Sequence, residues 1–251
     1  MKFTSVKRKL RVLFCLICIM IITASVPTGS SILTGVAKLI KSEGKKTAVI
    51  VIDPGHGGGD GGAESSSGTC EKDINLAIAL HVKELAEKDG HKVIMTRDDD
   101  RLLGDTESGA IRSKKTADLI ERKRIIDESK ADFAVSIHLN SFKGDRSVHG
   151  AQVFYPQGKE DEKVIADSKM LAEAVYEKIS LGLDDGTNRP VLAKGDARIL
   201  KNVSVPTIIV ECGFLSNNKE AELLESEEYQ EKLAQFIYEG ISEVNSLNKT
   251  Q

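Results

Sequence analysis

The chain has 251 residues and a formal net charge of −3, but that charge is unevenly spread. Residues 1–30 carry five basic side chains and no acidic one, which leaves 30 Lys and Arg against 38 Asp and Glu in the remainder. An acidic body excludes nucleic acid as a partner, since that binding rests on basic patches, and two cysteines outside the first segment exclude a disulfide framework.

The first element is a targeting segment. Lys2, Lys7, Arg8, Lys9 and Arg11 precede an apolar run of 11 residues from Val12 to Ile22. At ~1.5 Å per residue this run covers about half of a ~30 Å hydrocarbon core. The spacing predicts a signal peptide over residues 1–30, with a retained signal anchor as the alternative. The protein is therefore expected to be exported and to meet the membrane through its N-terminal segment alone. Residues 31–46 read as a linker, residues 47–245 as one folded domain and residues 246–251 as a tail.

Within the domain, an apolar strand over 47–53 stops at Asp53-Pro54 and enters a loop in which six of the eight residues from Gly55 to Gly62 are glycine. Ile74, Ile78, Val82 and Leu85 recur at helical spacing and predict a helix from Asp73 to about Asp89. A short strand over 92–96 follows, then a long loop over 97–115 and a helix over 116–129. Strands are expected at 132–138 and 150–155, a helix at 161–181, and weak strands at Val191-Leu192 and Ile199-Leu200. A strand over 206–212 and a helix over 227–244 complete the domain. Helices alternating with short buried strands give an α/β fold with a mainly parallel sheet.

Three of these strands end in side chains that bind metals or move protons: His56 just past the first, His138 at the end of the second and Glu211 near the end of the last. Ligands bind beyond the carboxyl ends of strands in such sheets. Glu71 lies at the opening of the first helix, and two imidazoles with one carboxylate suit zinc with one coordination position open. By spacing alone these residues are equally compatible with turns. Asn140, two residues past His138 on the same strand face, is a candidate for substrate contact, as is the planar fork of Arg97. Arg122 reads as a helix salt bridge, His81 as packed or half-exposed, His91 as a solvated turn residue, and His149 as a loop residue that could face substrate. Cys212 should point away from the cleft that Glu211 faces. A serine hydrolase would need a G-x-S-x-G elbow, and a phosphate-binding loop a Lys-Ser/Thr after its glycines; neither is present.

Four motifs in order, Ile52-Asp53-Pro54-Gly55-His56-Gly57-Gly58, Glu71-Lys72-Asp73-Ile74-Asn75-Leu76, Ser136-Ile137-His138-Leu139-Asn140-Ser141 and Glu211-Cys212-Gly213-Phe214-Leu215-Ser216-Asn217, resemble those of the zinc-dependent N-acetylmuramoyl-L-alanine amidases. Thr96-Arg97 and Glu121-Arg122 fit the same pattern. The resemblance implies a single domain, a twisted, mainly parallel sheet with helices on both faces. It implies zinc held by His56, Glu71 and His138, a catalytic Glu211, and peptidoglycan as substrate, cut between the lactyl group of N-acetylmuramic acid and L-alanine. The alternatives are a catalytically silent wall-binding or scaffolding domain of the same fold, or a general cell-wall lytic amidase. Only 11 residues separate His138 from Gly150, too few for the inhibitory helix of division-type relatives, and the chain resembles the sporulation amidases of endospore formers. Glu71, beside a glycine-rich segment, is expected to be mobile until an activator protein or substrate orders residues 57–71.

Overall fold

A computed structural model describes residues 47–104, 111–159 and 161–247. The expected signal segment, the linker and most of the tail lie outside the described residues. Among those described, no helix is long and apolar enough to cross a membrane.

The elements run β1 (Val49–Pro54), α1 (Glu71–Lys88), β2 (Lys92–Met95), α2 (Ile111–Glu128), β3 (Phe133–Asn140), β4 (Gln152–Pro156), α3 (Glu162–Leu183), β5 (Leu192–Lys194), a 3-10 turn (Arg198–Leu200), β6 (Thr207–Phe214), α4 (Asn218–Leu224) and α5 (Glu227–Leu247). The six strands form one sheet in the order β2-β1-β3-β6-β4-β5. Strands β2, β1, β3 and β6 are mutually parallel, whereas β4 meets β6 antiparallel and pairs in parallel with β5. The carboxyl ends of β1, β3 and β6, where the sequence placed its reactive residues, are thus neighbours on one edge.

Burial follows strand alternation. Phe133, Val135, Ile137 and Leu139 of β3, with Ile208, Val210 and Cys212 of β6, pack under Ile74, Ile78 and Val82 of α1, Leu171 and Val175 of α3, and Ile237 and Ile241 of α5. Ala134 and Ile209 face the other way, against Ile126 of α2 and the 3-10 turn. Helices therefore cover both faces. Each fully buried Ile or Val contributes on the order of 1.5–3 kcal/mol from apolar burial.

Three local expectations are corrected. Ile199 and Leu200 sit in the 3-10 turn, where the amides of Leu200 and Lys201 bond back to the carbonyls of Ala197 and Arg198 instead of to a neighbouring strand. Helix α2 begins at Ile111, inside the segment expected to be loop. The helix at 218–224 was not foreseen; Asn217 caps it by accepting the amides of Lys219 and Glu220. Residues 141–151 carry no helix, as the short His138–Gly150 connection predicts.

Candidate functional site

The loop after β1 is built to hold one histidine in an unusual conformation. His56 has φ +63°, a left-handed backbone that costs a non-glycine residue energy unless its surroundings impose it. Two buried arginines impose it here. Arg122 of α2 donates to the carbonyls of Pro54 and His56, while Arg97 donates from Nε to the Pro54 carbonyl and from Nη2 to those of Gly55 and Lys72. Arg97 is 1 % exposed and its fourth bond goes to the Asp99 carbonyl. Its guanidinium is therefore spent on the backbone, which corrects the expectation that Arg97 contacts substrate. Burial and the neighbouring Arg122 push its pKa down to about 10, so it remains charged at neutral pH.

Beneath this loop lies a closed ionic network. Arg122 joins Asp53 at 2.7 Å and Asp118 at 2.7 Å, and Asp53 also accepts from Thr96 and Ser136 at 2.6 Å each. Burial alone would raise the Asp53 pKa, but Arg122 and the two hydroxyls outweigh it and hold the carboxyl below the ordinary value.

The imidazole of His56 is fixed from two sides. Its Nδ1 meets Asp60 Oδ2 at 2.9 Å, and Asp60 is held in turn by Lys115 of α2 and the Gly62 amide. Its Nε2 points at Glu71 Oε1, 3.2 Å away, which also lies 3.0 Å from His138 Nδ1. The His56 pKa is raised to about 9, since Asp60 and Glu71 outweigh the desolvation that would lower it. The same ion pairing, outweighing burial, holds Asp60 and Glu71 well below the carboxylate range.

Glu71 is the first residue of α1 and is buried. Its Oε1 accepts from the Leu139 amide of the sheet and from Asn75, and its Oε2 accepts from the Ala63 amide of the loop. Glu71, expected to depend on the order of the loop, is bonded from both sides: the strand and its own helix hold one oxygen, and the loop holds the other. Close packing explains two glycines. A Cβ at Gly55 would fall 2.2 Å from the His138 ring, and one at Gly62 (φ +72°) 2.6 Å from Glu71 Oε2.

Glu211 stands opposite His138 in the β3–β6 register. Its Oε2 is buried without a hydrogen-bond partner, and burial, ahead of its charged neighbours, raises its pKa. Cys212 is buried on the opposite face, as alternation predicts. Asn140 ends β3, with its Oδ1 accepting from the Ser141 amide. His149 is exposed, His81 is half-buried, and His91 is buried, its Nδ1 accepting the Ala48 amide, which corrects the solvated reading. Asp60 and Lys115 were not foreseen as site residues. The carboxylate four positions after His56 was the available signal.

Among the described residues, His56, Glu71 and His138 offer donor atoms all within 4.8 Å of one another. A second group, His81 with Glu227 and Glu231, has both its glutamates exposed. The pattern that defines the N-acetylmuramoyl-L-alanine amidase family matches residues 50–243. The chain belongs to this family. It is 36% identical over 193 residues to the germination-specific N-acetylmuramoyl-L-alanine amidase of Bacillus subtilis, a match spanning 77% of this chain and 78% of that protein. The CwlD amidase of Clostridioides difficile, solved in complex with the GerS lipoprotein, is 44% identical, with a TM-score of 0.75 over 80% of this chain and all of that one. An N-acetylmuramoyl-L-alanine amidase from Clostridium difficile 630 is 31% identical, with a TM-score of 0.66 over 78% of this chain and 95% of that one. The histidine–glutamate cluster and Glu211 of this amidase both lie inside the matched region.

Proposed function

We propose that this amidase is an exported, zinc-dependent peptidoglycan hydrolase of spore cortex maturation. It cuts the amide between the lactyl group of N-acetylmuramic acid and L-alanine. His56, Glu71 and His138 would hold the metal, and Glu211 would move the proton. The observation that carries this reading is the convergence of two imidazole nitrogens and one carboxylate oxygen beside a buried glutamate oxygen that has no partner.

The donor set fits the ion. Two nitrogens and one oxygen, drawn from separate elements, suit zinc with an open position, and Asp60 on Nδ1 leaves the His56 Nε2 lone pair for a metal. Bound there, zinc would supply Lewis-acid polarisation of the carbonyl and lower the pKa of water. The chain's own residues do the rest. Glu211, whose Oε2 is free to accept, takes the proton of the attacking water. It returns that proton to the departing amine of L-alanine, a base turned acid. Its burial favours this exchange by bringing its pKa toward the working pH. Asn140, at the end of β3, is proposed to contact the substrate next to the cleaved bond.

The cortex assignment rests on likeness to the germination-specific enzyme of Bacillus subtilis and to the CwlD amidase. An activator protein is proposed on the second of these, whose structure holds the GerS lipoprotein. Export is supported by the N-terminal basic and apolar pattern. Digestion of purified peptidoglycan tests the reaction. New L-alanine amino termini should appear while glycan strands stay intact; new reducing sugars in their place would make the enzyme a glycosidase.

A further inference from the structure

A second feature of the same sheet edge has no role in the chemistry above. A cavity of about 630 Å3 opens between the β3–β4 connection and the start of α4. Three cationic or protonatable side chains, Arg146, His149 and Lys219, stand around it. Arg146 and Lys219 make no ion pair among the described residues, in a protein whose net charge is negative.

Two acids, Glu220 and Asp185, also line the cavity and act on His149, and neither pairs with Arg146 or Lys219. Glu220 is buried, and its oxygens accept the amides of Gly150 and Phe214 at 2.9 and 2.7 Å. Asp185 turns Oδ1 to the amide and hydroxyl of Thr187. The His149 pKa is raised, first by its bond to the Ser147 carbonyl, which favours the charged ring. Arg146 and Lys219 are thus two cations without an ion pair at a concave surface, an arrangement that favours an anion.

The position fixes which anion. Gly150, bonded to Glu220 at the cavity wall, lies two residues before Gln152, which pairs with Glu211 across β4 and β6. Two residues of strand span about 7 Å and adjacent strands lie about 5 Å apart, so this wall is on the order of 10 Å from Glu211. An extended peptide covers about 3.3–3.6 Å per residue, so a chain cut at Glu211 reaches the cavity at about its third residue. Beyond L-alanine the stem peptide carries free carboxylates.

We propose that this cavity is a subsite for the carboxylates of the stem peptide beyond L-alanine, with Arg146, Lys219 and His149 as the recognising groups. The inference rests on the amidase reading and names how that site selects its substrate. It makes the enzyme discriminate stem peptides by charge several residues from the bond it cuts.

Two measurements on the purified protein test it. The first compares soluble muramoyl peptides with free and with amidated stem carboxylates. The parent should prefer the free form by about tenfold in kcat/KM, carried mainly by KM, and the double variant Arg146→Gln/Lys219→Gln should bring that ratio close to one. The second needs neither metal nor turnover: calorimetry with the released stem peptide should show binding that weakens about tenfold in the double variant. A parent without the preference, or a variant that keeps both preference and affinity, overturns the subsite. Failure to cleave either substrate overturns the amidase reading alone, because the calorimetry still decides whether the cavity holds the peptide.

Discussion

Glu211 and His56 are held in opposite ways, and the difference follows from what surrounds each. His56 is over-determined: Arg122 and Arg97 grip the carbonyls around it, Asp60 takes its Nδ1, and Glu71 faces its Nε2. Glu211 has a buried oxygen that nothing holds, and a buried unpaired polar atom is costly. Such cost is tolerated where a proton must be exchanged. Glu211→Gln should therefore lower kcat by about 10²–10⁴-fold while leaving zinc affinity within a few-fold of the parent. His56→Ala, Glu71→Ala and His138→Ala should each weaken zinc binding itself. Zinc titration beside turnover measurements separates the two classes. Because burial raises its pKa, Glu211 costs stability progressively as pH rises above the unfolded value, and in full above the raised folded one. The metal-free Glu211→Gln protein should thus melt above the metal-free parent at pH 8. His56, His138 and Glu211 stand out in the sequence as candidates because each lies at or near the carboxyl end of an apolar strand. The true role of Arg97 does not, because nothing in the residue order marks which backbone carbonyls a fold will bury and leave in need of donors.

At the scale of elements, the site is a junction of four of them tied by one ionic network. Asp53 ends β1, Thr96 follows β2, Ser136 lies in β3, and Arg122 and Asp118 come from α2. Replacing one partner strands the others in the interior. Asp53→Asn should cost about 3 kcal/mol at pH 7, since buried Arg122 would lose one of its two carboxylates and keep only Asp118. The sign of the pH dependence follows from the lowered Asp53 pKa. Its contribution is complete above the unfolded value of about 4 and is lost as pH falls through the lower folded value. Urea melts of parent and variant should therefore differ most near neutrality and converge in acid; a gap independent of pH would mean that Asp53 acts by packing alone. The network's elements were largely readable from periodicity, and the main strands and helices fall where that spacing puts them. The start of α2 and the seven-residue α4 were not: α2 opens in charged sequence without an apolar stripe, and α4 has too few turns to show one.

For the molecule as a whole, the question is whether the fold or the metal comes first. A site assembled by its ion collapses without it, as in small zinc domains where binding free energy is folding free energy. Here the scaffold is complete from protein contacts. Glu71 has three hydrogen bonds from Leu139, Asn75 and Ala63, Asp60 sets the His56 ring, and the loop is further tied by Ser65 and Ser67 to Glu225 and by Lys72 to Asp100. The core beneath is a six-stranded sheet covered on both faces. Removing zinc should therefore abolish hydrolysis and leave the fold standing. Mass action sets the size of the residual effect: an ion at about 100 times its Kd adds about 2.7 kcal/mol. A domain of this size shifts by about 2–4 °C per kcal/mol, so chelation should lower Tm by about 5–10 °C. The far-ultraviolet dichroism should be unchanged, and added zinc should restore both Tm and turnover. Full activity after exhaustive chelation would remove the metal from the mechanism. Loss of secondary structure on chelation would instead show that the hydrogen bonds around Glu71 and His56 do not suffice to preform the site.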